Sequence, residues 1–299
     1  MIQKRRDFIK TFGTLTLGAG AVVVSPQLFA FKKSKFDISL AQWSLHKSLF
    51  AGKLDNLNFP VKAKKDFDIN IVEYVNVFFN KKEKDTNYLK ELLLRSQDNG
   101  VFNHLIMVDG EGDLASFSDK ERLKSVENHY KWIDAIKFLG GKSIRVNASG
   151  HGNAADVKAA AIDGLGKLTE YGQKNKINVI VENHGGLSSN GAWLADVIKQ
   201  VNNKYCGTLP DFGNFRINDK EEYDKYLGVQ DLMPYAKGVS AKTYNLNDKG
   251  YETDIDYDRM FEIINESRWR GIIGIEYEGD HMSEDEGIRA TKKLIERYI

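Results

Sequence analysis

The sequence predicts an α/β chain folded as a (β/α)8, or TIM, barrel. Three observations lead there. Beyond residue 30, short β-like runs alternate with helix-like segments through eight successive units. Several of the runs are nearly continuous in apolar residues, as parallel strands covered on both faces must be. Three of them, Ile177 to Glu182, Tyr205 to Asp211 and Gly271 to Glu276, end in a carboxylate. Acids gathered at one end of a barrel are costly to bury without a cation, so their position points to a metal site.

The units follow in order. The first strand is Phe36 to Trp43, with a helix within 54–67; the second is Ile71 to Val75, with a helix from Asn87 to Asn99. Phe102 to Val108 is the third, and its helix near 118–139 stops at Gly140-Gly141. Lys142 to Asn147 precedes a helix at 154–175, and Ile177 to Glu182 precedes one near 191–202. Tyr205 to Asp211 leads to a shorter helix near 219–228, and Ala236 to Lys242 to one near 256–267. Gly271 to Glu276 and a helix near 284–298 close the chain. An open doubly wound sheet would carry a glycine-rich phosphate turn after its first strand, and none is present.

Residues 1–30 read as a separate leader. Lys4-Arg5-Arg6-Asp7-Phe8-Ile9-Lys10 precedes an uncharged stretch from Thr11 to Ala30, a basic region followed by an apolar one. The paired arginines resemble a twin-arginine export signal, which implies the twin-arginine export machinery as a partner and a periplasmic mature protein. A cut after Ala30 leaves 31–299 as one barrel domain. A membrane anchor is the alternative, but the stretch is weakly apolar for the ~20 residues a spanning helix needs.

The leader holds four of 43 basic and one of 42 acidic residues, leaving 39 against 41. A body so balanced, without a basic stripe, gives no footing for nucleic acid. Cys206 is the single cysteine, so the chain forms no internal disulfide.

Side chains two apart on a strand share a face. If Ile180 and Leu209 point at the barrel axis, Glu182 and Asp211 face the mouth, where active sites of this fold are built. Ser240 and Lys242 share a face on the seventh run, and Glu276 and Glu278 on the eighth. Ordinary readings compete: strand-end salt bridges for Glu182 and Glu276, a turn role for Asp211 before Phe-Gly-Asn, a plain ion pair for Lys242. Arg145 and Asn147 end the fourth run, where both are candidates for sugar hydroxyls, and Arg145 is equally one for a core ion pair. Trp43, Tyr74, Phe212 and Tyr244 offer either a sugar-stacking wall or core packing. Asp109 and Glu111, in a glycine-rich loop, read as part of a flexible lid.

Ile177-Asn178-Val179-Ile180-Val181-Glu182-Asn183-His184-Gly185-Gly186 resembles the fifth-strand motif of the xylose-isomerase-like barrel family. That family includes sugar isomerases, epimerases and keto-inositol dehydratases. The resemblance implies a divalent ion, Mn²⁺ or Mg²⁺ foremost, held by Glu182, by Asp211 in Pro-Asp-Phe-Gly-Asn and by Glu276 in Ile-Gly-Ile-Glu-Tyr-Glu-Gly. The family commonly shows Val-His-Leu-Lys-Asp on strand seven; here Val239-Ser240-Ala241-Lys242-Thr243 puts Ser240 at the position of the histidine ligand. His184 is the nearest replacement, with His151 and His281 as loop alternatives.

The implied function is an exported, metal-dependent sugar isomerase or epimerase. Glu182, Glu276 and Lys242 would be catalytic, and Trp43, Asn147, His184, Asn214 and Tyr244 would contact a small sugar. A keto-sugar or keto-glycoside dehydratase or lyase is the first alternative, and a non-catalytic sugar-binding barrel another. A DNA-repair endonuclease of the same superfamily would need more suitably placed histidines. The resemblance also allows a homo-oligomer.

Overall fold

A single sheet of parallel strands, with helices returning between them, organises residues 35–299, the part of the chain that the computed structural model describes. The leader expected at 1–30, with its export pattern, lies outside the described residues. In chain order the strands are β1 (Phe36–Ala41), β2 (Ile71–Val75), β3 (Phe102–Met107), β4 (Ser143–Val146), β5 (Asn178–Glu182) and β6 (Cys206–Leu209). They continue as β7 (Arg216–Asn218), β8 (Glu221–Glu222), β9 (Val239–Thr243) and β10 (Gly271–Tyr277).

Eight of these form the sheet, in the order β6-β5-β4-β3-β2-β1-β10-β9, and every pairing within it is parallel. Its two ends meet through isolated bridges, Thr208 with Ala236 and Asp211 with Ser240, so the sheet nearly closes into the expected (β/α)8 barrel. The second bridge sets Asp211 beside the strand that carries Ser240 and Lys242.

The helices are α1 (His46–Phe50), α2 (Phe59–Phe67), α3 (Thr86–Asp98), α4 (Asp119–Phe138), α5 (Ala154–Asn175), α6 (Gly191–Val201), α7 (Lys225–Leu232), α8 (Tyr257–Glu266) and α9 (Glu284–Ile295). Their starts are written locally. Ser118, Asn153, Asn190, Asp224 and Asp256 each accept a backbone N–H of the first turn. Ser283 and Glu286 form a reciprocal capping box.

The helix expected near 219–228 starts instead at Lys225. Arg216–Asn218 and Glu221–Glu222 pair as a small antiparallel hairpin, turned where Asn218 Oδ1 accepts the Lys220 N–H at 3.0 Å. An Asx turn of this kind competes with helix formation, and Asp224 then caps the delayed start. The one-turn α1 after β1 was likewise not expected from the periodicity.

Two apolar cores result. The outer one lies between strands and helices and is large; Leu165, Trp132, Phe261 and Ile264 are among its members. The inner one is small: Ala41, Val75, Leu105, Met107, Ile180 and Leu209 inside the barrel. Ile180 and Leu209 face the axis, as the strand parity requires. Charged groups fill much of the remaining interior, and Glu73, Arg145, Glu182, Asp211, Lys242 and Glu276 are all buried.

Candidate active site

The site begins at the ends of β5 and β6. Glu182 closes β5, and the chain then turns through Gly185 and Gly186, whose φ values of 79° and 60° are left-handed and suit glycine. Asn183 ties this turn to the next strand. Its amide donates to the Asp211 carbonyl at 2.9 Å and its Oδ1 accepts the Asp211 N–H at 2.8 Å. Asp211 Oδ1 in turn accepts the N–H groups of Gly213 and Asn214, both at 2.8 Å. The turn role considered for Asp211 is therefore present, and it fixes the carboxylate that faces the mouth.

β9 and β10 supply the other half. Ser240 Oγ lies 2.8 Å from Asp211 Oδ2 and 2.8 Å from Glu276 Oε2. A hydroxyl has one proton, so it donates to only one of the two oxygens. The other contact needs a protonated carboxyl or a cation. Lys242 Nζ, its side chain 2 % exposed, stands 3.5 Å from Asp211, 3.3 Å from Glu276 and 3.1 Å from Glu278. It also donates to Asn214 Oδ1 at 3.3 Å, while Asn214 Nδ2 donates to Glu182 Oε1 at 3.0 Å.

Arg145, from β4, completes the floor. Its Nε is 2.9 Å from Glu182 Oε2, an ion-pair distance though off the line of a hydrogen bond. Its Nη1 and Nη2 hold the two oxygens of Asp109 at 2.7 and 3.4 Å. Asp109, read from sequence as part of a flexible lid, is pinned further by Asn147 Nδ2 at 2.7 Å and by the Asn76 amide on its backbone. The carboxylate is held because the charge on Arg145 needs a second partner inside the barrel.

Five carboxylates (Asp109, Glu182, Asp211, Glu276, Glu278) thus face two cations, Arg145 and Lys242. Burial raises the pKa of Glu182 to about 7, an effect that Arg145 opposes and the charge on Glu276 reinforces. Burial likewise pushes Asp211 up to about 7 against the pull of Lys242. Burial works on Glu276 in the same direction, but Lys242, Ser240 and Arg145 together hold it below its ordinary value. The ammonium of Lys242 is desolvated, yet its acidic neighbours keep it firmly protonated.

Ligand oxygens of Glu182, Asp211 and Glu276 all lie within 4.8 Å of one another. Opposed ligands around an ion with oxygen bonds of about 2.0–2.6 Å span a similar distance. The donor set fits a hard divalent cation: three buried anionic oxygens, a hydroxyl alongside and a surplus of negative charge. His184 lies outside this cluster, and so do His151 and His281, which are exposed.

Above the floor opens a cavity of about 440 Å³. Arg145, His184, Asn214, Lys242, Glu276 and Glu278 line its polar side, and Trp43, Phe50, Val75 and Val77 the other. His184 is exposed on this wall, yet enough protein surrounds it that desolvation, aided by the charge on Arg145, lowers its pKa. Of the expected sugar contacts, Trp43, His184 and Asn214 reach the cavity. Asn147 lines a neighbouring cleft and acts on Asp109. Tyr244 packs over Gly213, where an added Cβ would lie 2.7 Å from its hydroxyl. Tyr74 and Phe212 are buried in the outer core and form no part of the wall.

Sequence reasoning missed Asn183, Phe50 and the depth of the Asp109–Arg145 pair. It also missed Glu73, buried inside the barrel beneath the site, with Ser39 Oγ donating to its Oε1 at 2.5 Å and no hydrogen-bond partner on Oε2. Gly274 makes room for it, because a Cβ there would meet Glu73 Oε2 at 2.9 Å. A lone acid in an apolar run carries a signal, but not one that separates a buried group from a surface one.

The xylose isomerase-like TIM barrel family model matches residues 62–298. The chain belongs to that family. Solved structures agree on the fold. A D-psicose 3-epimerase from Clostridium cellulolyticum H10 superposes with a TM-score of 0.68 at 10 % identity, over 88 % of this chain and 99 % of that one. A 3-keto-D-glucoside 4-epimerase from E. coli gives 0.64 at 14 % identity, over 89 % and 100 %. The IOLI protein with a bound zinc atom gives 0.67 at 12 % identity, over 88 % and 99 %. No curated protein matches the chain.

Proposed function

We propose that this barrel is a sugar isomerase or epimerase that removes a proton from carbon in a keto-sugar and returns it, to the other face or to the adjacent carbon, through an enediolate. The observation that carries the reading is the convergence of Glu182, Asp211 and Glu276, with Glu276 lining an open cavity and the other two buried beside it. The family and its epimerase neighbours support the substrate class.

Glu182, Asp211 and Glu276 would hold the divalent ion, Mn²⁺ or Mg²⁺ by the hardness of the donors. When bound, such an ion polarises a carbonyl and its neighbouring hydroxyl, acidifying the C–H between them. The chain supplies the rest. Glu182 and Glu276 stand on separate strands, so one can take the proton and the other return it, to the opposite face or the adjacent carbon. Lys242 places a fixed positive charge beside Glu276, where negative charge develops on the substrate oxygen. Asn214 orients Glu182, Arg145 sets its charge, and His184 offers a ring to sugar hydroxyls.

Expulsion of a β-oxygen from the same intermediate would give a lyase. The apolar half of the cavity favours keeping this second reading, since it offers a surface to the leaving group of a glycoside. We further propose that residues 1–30 direct the protein to the periplasm through the twin-arginine route.

Metal content by mass spectrometry on chelator-free protein, with solvent deuterium uptake into a panel of keto-sugars, tests the reading. About one ion per chain and deuterium at a single carbon are expected. Glu182→Gln and Glu276→Gln should each cut exchange by roughly two orders of magnitude or more. Exchange that persists in both variants would overturn it.

A further inference from the structure

Half of the cavity wall takes no part in the chemistry above. Trp43, Phe50, Val75 and Val77 share the opening with Glu276 and Lys242, and Phe50 and Val77 are 61 % and 45 % exposed. Single exposed apolar side chains are ordinary; several at one cavity rim mark a contact surface. The lip is also built. Trp43 stacks on His46 with centroids 4.9 Å apart and meets Phe50 edge-on at 6.1 Å, and Phe78 lies 5.0 Å from Phe50.

Polar groups around the lip are already engaged. His46 Nδ1 is bonded to the Trp43 carbonyl at 2.7 Å, and Lys47 Nζ to Asp280 at 2.6 Å. Glu284 accepts the backbone N–H groups of Lys47 and Ser48 and the Ser48 hydroxyl. A sugar ring placed there would find no free protein group for its hydroxyls and keep them in water, whereas a planar apolar group would take its own surface and that of Trp43 and Phe50 out of water.

We infer that the substrate is a keto-glycoside with an aromatic aglycone, its keto-sugar ring on the carboxylate floor and its aglycone against Trp43 and Phe50. The inference rests on the sugar-processing reading of the floor and names the class of sugar derivative that the cavity takes.

Calorimetric titration of the intact protein with paired methyl and 4-nitrophenyl glycosides of glucose, galactose and xylose, which lack the ketone and so serve as non-reacting analogues, tests it, with 4-nitrophenol as control. The aryl member of the best pair should bind about tenfold tighter. Phe50→Ala should reduce that ratio to about twofold or less, and Phe50→Tyr should keep it. Equal binding within every pair, or an aryl preference that Phe50→Ala leaves intact, would overturn the aglycone site while sparing the floor. Free 4-nitrophenol binding as well as its glycosides, insensitive to Glu276→Gln, would overturn the proposal through failure of the sugar floor. A dimer that Phe50→Ala dissociates without changing the aryl ratio would assign the lip to self-association and overturn it too.

Discussion

The inner and outer cores are made on opposite principles. Between strands and helices the packing is almost wholly apolar, with Leu165, Phe261 and Ile264 fully enclosed. Inside the barrel six apolar residues share the space with Glu73, Arg145, Glu182, Asp211, Lys242 and Glu276. Burying so many charges is unfavourable unless each is paired, and paired charges rarely stabilise more than apolar packing would. The outer layer therefore carries stability, and it leaves the interior free to be arranged for chemistry.

Cutting into either core should separate these roles. Leu165→Ala opens a void in the outer layer and should lower unfolding stability by about 2–5 kcal/mol. Metal content per folded chain should not change, and denaturant melts read beside metal analysis check both halves. Lys242→Met attacks the inner arrangement, leaving Asp211, Glu276 and Glu278 without their ammonium. The metal-free variant should lose about 3–5 kcal/mol, as expected when one partner of a buried ion pair is removed. Added Mn²⁺ should recover most of that loss, because it replaces the missing charge. A metal-free variant as stable as the parent would mean that Lys242 does not hold the acids together.

Glu73 sharpens the contrast by pH. Burial, only partly offset by the Ser39 hydrogen bond and reinforced by Glu276 and Glu182, raises its pKa to about 8. The folded state thus holds this proton more tightly than the unfolded chain does. The resulting stabilisation is complete below the unfolded value of 4.5 and is lost as pH rises through about 8. Glu73→Gln should therefore flatten the decline in melting temperature between pH 5 and 9. At pH 9 it should be more stable than the parent by roughly 2–4 kcal/mol. Parallel pH profiles of the two proteins would show the group to be ionised already in the fold.

Much of this was legible beforehand, and unevenly. The alternation of units placed every barrel strand, because an apolar strand buried on both faces reads the same in any tertiary context. The hairpin at Arg216–Asn218 and Glu221–Glu222 was hidden, since its residues are polar and its turn is an Asx contact. Glu182, Asp211 and Glu276 were visible as acids closing apolar runs. Asn147 was assigned to the sugar, and its amide is found donating to Asp109. That assignment followed its place at a strand end, which gives the mouth a residue belongs to and not its partner.

The sequence by itself determined the barrel, the faces its strands present and the three carboxylates at its mouth. These follow from periods of two and of 3.6 residues, which are properties of the backbone. Tertiary structure decided the rest. It set Lys242 among three acids, joined Arg145 to both Glu182 and Asp109, sank Glu73 beneath the floor and raised Phe50 at the rim. Each of those facts depends on a distance between residues far apart in the chain. Electrostatic and desolvation energies vary with that distance and with burial, and neither exists until the barrel closes.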